Sequence, residues 1–259
     1  MHLQKIDSVI MHIKLSEEYQ NKRDTILEFV LSFDNMGTLL GSGARNKIKL
    51  FDLNGKILNI KSFKVPNKLN QVIYKYFRKS KAERSFEYAQ ILMSKNIGTP
   101  APVAYALNKS SSLFNESFYI SEHLKYDLTY RELVTNPNLE NHEEILRAFT
   151  QFTYKLHENG IEFLDHSPGN TLIQINNKSY DFFLVDLNRM NFKKMNFEER
   201  MKNFSRLTPK KEMVEFMADE YSNLIEEDSG KVFEKMWFYT SKFQEGHLRK
   251  KRLKEKFKL

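Results

Sequence analysis

Three oxygen-bearing side chains stand at spacings that suit phosphate or proton chemistry. Asp165 and Asn170 lie five residues apart in FLDHSPGNTLIQ (Phe163 to Gln174), and Asp186 follows sixteen residues after Asn170, behind the apolar run FFLV. Between the first two, Pro168 fixes φ and Gly169 relieves the turn, which permits a rigid, irregular loop. A carboxylate can accept a proton or bind a hard cation, and an amide oxygen can share the second task. The three groups converge if the apolar segments around 171–175 and 181–186 pair as a hairpin. A plain surface turn fits the loop equally well when it is taken alone.

Such a site needs elements to hold it. Residues 16–31 read as a helix, with Ser16 as N-cap ahead of Glu17 and Glu18. Leu39 to Phe63 alternates about Asn54-Gly55, which predicts strand, tight turn, strand. Residues 68–95 read as a helix, with Phe86, Ala89, Leu92 and Met93 at helical spacing. Gly98 and Thr99-Pro100-Ala101-Pro102 end it. Short strands are expected at 103–107 and 117–122, and helices at 127–135 and 141–159. Strands at 171–175 and 181–186 flank a turn at Asn176-Asn177, and the pattern is helical from 196 onward. The fold class is therefore α+β, a β-rich first half followed by a mostly helical second half, with the junction near His123 to Asp127.

The chain has 259 residues, 41% hydrophobic and 29% charged, which suits one large domain or two intimate lobes. It has no cysteine, and its first thirty residues lack an apolar signal-peptide core. A cytoplasmic protein is the expectation. The net charge is +8, but RKKRLKEKFKL (Arg249 to Leu259) holds seven basic residues and one acid, so the rest of the chain carries only +2. That balance does not call for nucleic acid, and no such partner is expected. The tail and KLNQVIYKYFRKSK (Lys68 to Lys81) mix bases with apolar residues, a composition suited to the anionic lipid headgroups of a membrane's inner face or to ordinary solvated helices.

FLDHSPGNTLI resembles the catalytic loop of the protein-kinase-like superfamily, H-R-D-x-x-x-x-N, and LVDLNR (Leu184 to Arg189) stands where that superfamily carries D-F-G. The resemblance implies Asp165 as the catalytic aspartate, Asn170 and Asp186 as ligands of Mg²⁺, and ATP as cosubstrate. Upstream, Gly41, Ser42 and Gly43 stand where the glycine-rich loop is expected, with Asn46 in place of its third glycine. Lys61, with Lys64 as runner-up, is the expected phosphate lysine, and Glu87 or Glu83 its helix partner. Ser121-Glu122-His123-Leu124 would be the hinge, where Glu122 and Leu124 meet the nucleotide mainly through backbone groups.

GTPAPVAYAL and the Asp-x-x-Arg of VDLNRMNF are similar to one branch, the bacterial lipopolysaccharide kinases that include Kdo kinase and core heptose kinases. The resemblance spans residues 37–210 and implies a bilobal protein-kinase-like fold, with an N-lobe over 1–123 and a C-lobe over 124–259. Phe163 and Leu164 replace the His-Arg before the aspartate, and no A-P-E or long activation segment follows Arg189. Two readings fit His166, a packing histidine or an acceptor contact. Arg189 suits either a structural ion pair or a carboxylate or phosphate on the acceptor. The expected activity is phosphorylation of a sugar hydroxyl on a lipopolysaccharide precursor. A pseudokinase scaffold and a phosphotransferase of the aminoglycoside or choline kinase type are the rivals. The basic excess disfavours the latter, whose cationic substrates want an acidic cleft.

Overall fold

The structure is a computed structural model that describes residues 11–41, 46–63, 79–108, 116–177 and 179–257. The chain divides into two compact units, Met1–Ser94 with Pro100–Leu124, and Lys95–Thr99 with Lys125–Leu259. The sequence draws one boundary near 123; the structure also assigns the short segment after the second helix to the second unit.

The first unit is built on a six-stranded antiparallel sheet. Its strands are β1 (Met11–Leu15), β2 (Thr38–Leu39), β3 (Lys47–Leu53), β4 (Lys56–Phe63), β5 (Pro102–Asn108) and β6 (Ser117–Glu122), in the order β1-β5-β6-β4-β3-β2. Alternation sends Leu58, Ile60, Ala104, Ala106, Phe118 and Ile120 to one face. There they bury against Ile26, Val30 and Phe33, from helix α1 (Arg23–Leu31) and the residues just after it. The other face presents Phe63, Tyr105, Leu107 and Tyr119, and helix α2 (Lys81–Ser94) covers it with Ala82 and with Phe86, whose ring meets Tyr105 at 5.4 Å edge-on. The β3–β4 turn is formed as expected, because Asn54 and Gly55 both take positive φ, 55° and 88°.

Three local expectations need correction. Residues 16–31 are not one helix, since Glu17–Lys22 is a 3-10 turn ahead of α1. Ser16 makes no side-chain cap; its hydroxyl and its N–H both donate to the carbonyl of Val103, which stitches the end of β1 to β5. The described part of the helix expected over 68–95 begins at Lys81, where Ser80 Oγ accepts from the N–H of Glu83; positions 68–78 lie outside the described residues.

The second unit is mainly helical. Helices α3 (Tyr130–Thr135), α4 (His142–Glu158), α5 (Phe197–Asn203), α6 (Lys211–Ile225) and α7 (Ser229–Phe257) enclose a core that includes Tyr130, Phe149, Ile173, Phe182, Met217, Tyr221 and Met236. α4 places Ile145, Leu146 and Phe149 on that core at helical spacing, each at most 1% exposed. Two small sheets complete the unit, β10 (Ser179–Leu184), β9 (Thr171–Asn176) and β7 (Leu128–Thr129) in one, β11 (Met190–Phe192) and β8 (Ile161–Phe163) in the other. Gly98 approaches β10 so closely that a Cβ there would lie 2.1 Å from the carbonyl oxygen of Phe182. Its own carbonyl accepts from Leu184 N–H, and Thr99 Oγ1 donates to Leu184 O. No helix among the described residues is long and apolar enough to cross a membrane.

Candidate active site

The two small sheets of the second unit position the loop from Phe163 to Asn170. Antiparallel pairing of β8 with β11 sets Phe163 opposite Met190, and Leu164 N–H donates to Arg189 O. The β9–β10 hairpin pairs Thr171 with Leu184, and Val185 N–H donates to Asn170 O at 3.0 Å. The chain therefore re-enters beside the loop at both ends, with Asn170 and Asp186 held at the same end of one hairpin. Asp186 lies two residues beyond β10 at φ 59°. Left-handed backbone is uncommon for a residue with a Cβ and tolerated best by Asn and Asp.

Side chains then fix the polar groups. Asn170 Nδ2 donates to Asp165 O at 2.8 Å, so its amide oxygen is the end turned from that carbonyl. Asp186 Oδ1 accepts from Asn188 Nδ2 at 2.6 Å. Asp165 is half-buried, and its Oδ1 accepts from Arg189 Nη1 at 3.0 Å and Arg206 Nη1 at 2.9 Å. Arg131 on α3 is near as well, since a Cβ on Gly169 would meet its guanidinium at 2.7 Å. An amide oxygen and a carboxylate are the hard donors a magnesium ion takes, with phosphate and water completing the shell. Asn170 and Asp186 fit that ion. Among the described residues, no group of three or more His, Cys, Asp and Glu side chains forms a metal cage.

His166 is fully buried, its ring 5.4 Å from Phe149 and 5.7 Å from Phe163. Neither ring nitrogen has a hydrogen-bond partner among the described residues, and burial pushes its pKa down to about 4. The packing reading fits that setting, whereas an acceptor contact needs an exposed face. Beneath the loop, a polar chain runs from α6 to β8. Asn203 Nδ2 donates to Phe163 O, so its Oδ1 faces His157 Nε2, which must donate. His157 Nδ1 then accepts from the Tyr221 hydroxyl at 2.7 Å.

In the first unit, Lys61 lies on β4 opposite Ile48 and Tyr119, with its Nζ 5.2 Å from the centre of the Phe63 ring. It shares the sheet face that α2 covers. On α2, the Glu87 carboxylate holds Lys79 at 2.5 Å, and Glu83 accepts weakly from Tyr105 at 3.5 Å. Gly41 follows β2 with φ 77°, and Leu40 N–H donates to Ile48 O. Ser42, Gly43 and Lys64 lie outside the described residues. Glu122 ends β6, its side chain accepting from Tyr19 and Lys56, both at 2.6 Å, and Leu124 is half-buried behind it.

Sequence reasoning missed Arg206, Arg131 and Asn203. None lies in a motif, and Arg206 is 41 residues from the aspartate it meets.

Comparison with known proteins bears on this arrangement. The profile of the lipopolysaccharide kinase (Kdo/WaaP) family matches residues 59–227, well over half of the chain and including the whole loop. No curated protein matches it. Among solved structures, "WaaP in complex with acyl carrier protein" superposes with a TM-score of 0.60 at 13% identity, covering 89% of this chain and 98% of that one. The likeness in structure shows a protein-kinase-like fold.

Proposed function

Since the chain belongs to the lipopolysaccharide kinase (Kdo/WaaP) family, we propose that it transfers the γ-phosphoryl group of ATP to a sugar hydroxyl, on Kdo or core heptose, of a lipopolysaccharide precursor. The observation that supports this reading is the β9–β10 hairpin, which sets Asn170 and Asp186 at the same end, with the Asn170 side chain bonded to the carbonyl of Asp165. Asp165 aligns the acceptor hydroxyl and receives its proton through Oδ2. Asn170 and Asp186 would hold magnesium, which would neutralise phosphate charge when bound. Lys61 orients the α- and β-phosphates, supported by Glu87 or Glu83. Gly41, Ser42 and Gly43 are the proposed phosphate-binding stretch, and the backbone from Glu122 to Leu124 receives the adenine. Arg131 and the exposed Arg189 supply cationic contacts for a carboxylate or phosphate on the acceptor.

A nucleotide-binding scaffold without turnover is the rival reading. Retention of Asp165, Asn170 and Asp186 argues against it. The test is incubation of the purified chain with ATP and a panel of Kdo–lipid A and heptose-bearing core acceptors, read by mass spectrometry. Gain of one phosphate on one acceptor is expected; no gain on any acceptor, with ATP bound, supports the scaffold. Asp165→Asn is expected to lower kcat by about 10²–10⁴-fold and leave nucleotide affinity intact. Asp186→Ala is expected to weaken binding of magnesium-ATP in calorimetry.

The basic stretch of α7 is the segment that would meet an anionic membrane surface. Acyl carrier protein, with which the solved WaaP is in complex, is the competing partner.

A further inference from the structure

We propose that Arg206 is the positioning residue that orients the carboxylate of Asp165, and that Phe243 on α7 holds it in place. The inference rests on Asp165 being the group that receives the acceptor proton. Arg206 ends a 3-10 turn, Phe204–Arg206, whose Phe204 and Ser205 are buried, so its backbone is anchored. Its Nη1 donates to Leu164 O at 2.8 Å and to Asp165 Oδ1 at 2.9 Å. One nitrogen thus ties a main-chain oxygen to the side-chain oxygen of the next residue and fixes the carboxylate relative to its own backbone.

Arg189 donates to the same Oδ1. With both donors on one oxygen, the carboxylate torsion is set and Oδ2 is the oxygen that faces an acceptor. Phe243 supplies the other constraint, since its ring centre lies 5.4 Å from the guanidinium carbon. A planar guanidinium over an aromatic face keeps its orientation in a way an ammonium does not. Arg206 Nε is buried without a hydrogen-bond partner among the described residues. An arginine serving only as a surface charge would leave that nitrogen in water. The catalytic-loop pattern carries an arginine immediately before its aspartate, where this chain has Leu164. Arg206 instead reaches the carbonyl of Leu164 from 42 residues away.

The test uses the full chain with Arg206→Ala, Arg206→Lys, Phe243→Leu and Asp165→Asn. Phosphate transfer to the responsive acceptor, or slow hydrolysis of ATP by water, gives kcat and KM, and calorimetry gives ATP affinity. Arg206→Ala is expected to lower kcat by about 10²-fold, the cost of a misplaced reacting group, with KM for ATP and ATP affinity unchanged. Arg206→Lys is expected to remain low, and millimolar methylguanidinium to restore part of the activity of Arg206→Ala. Phe243→Leu is expected to lower kcat in the same direction by a smaller factor. Wild-type kcat in Arg206→Ala beside an inactive Asp165→Asn would overturn this inference alone. So would a loss that follows the folded fraction by circular dichroism and shows no rescue. Wild-type turnover in Asp165→Asn removes the base assignment, and this inference with it.

Discussion

His157 and His166 show how two buried histidines differ. His157 is satisfied at both ring nitrogens, by Tyr221 and by Asn203, and through Asn203 it supports the carbonyl of Phe163. His166 has no hydrogen-bond partner among the described residues. Removing a buried bonded group strands its partners, at about 1–3 kcal/mol each, whereas replacing an unbonded one by an apolar group of similar size is nearly neutral. His157→Leu is therefore expected to cost about 3 kcal/mol in urea unfolding, and His166→Leu to stay within about 1 kcal/mol of wild type. Burial holds both rings neutral, pushing them down to about 3 and about 4. An unfolded histidine titrates at about 6.5, so on acidification the unfolded chain takes up protons first. The stability these rings contribute is full above about pH 6.5 and is lost as pH falls toward the folded values. The urea midpoint of His166→Leu should fall less than that of wild type between pH 6.5 and 4; equal slopes would refute the neutral, buried state. Asp165, Asn170 and Asp186 were legible in the sequence because their spacing is local. Arg206 and Asn203 were not, because their partners lie some forty residues away and no periodicity marks them.

Elements whose causes are local were legible in the same way. The β3–β4 hairpin was readable because its two turn positions need positive φ and the sequence offers Asn-Gly. β1 was not, because a five-residue strand with exposed His12 and Lys14 and only Leu15 fully buried gains its identity only on pairing with β5, some ninety residues on. Gly98 was read as a helix terminator, yet its requirement is steric. The close approach to Phe182 O leaves no room for a methyl group, and the obstacle is backbone. Gly98→Ala is expected to destabilise the chain by about 3 kcal/mol, measured by urea unfolding, and to displace the β10 end from which Asp186 follows. A variant as stable as wild type would mean that the segment can shift without loss.

At the scale of the molecule, α7 has two parts. Up to Gln244 it includes the buried Val232, Met236 and Thr240, while the described residues from Glu245 through Lys256 are all exposed. Deleting Arg249 to Leu259 is expected to change stability by less than about 0.5 kcal/mol and to abolish flotation with anionic vesicles. Unchanged flotation would place any lipid contact elsewhere. The division into units carries a further consequence. The chain passes between them after Ser94, after Thr99 and after Leu124. A single cut between Leu124 and Lys125 would release an N-terminal piece that still owns Gly98 and Thr99, the strip of backbone bonded to Leu184 in the other piece. A C-terminal half expressed alone from Lys125 would lack that strip of its own unit, and is expected to fold fully only when the N-terminal half supplies it.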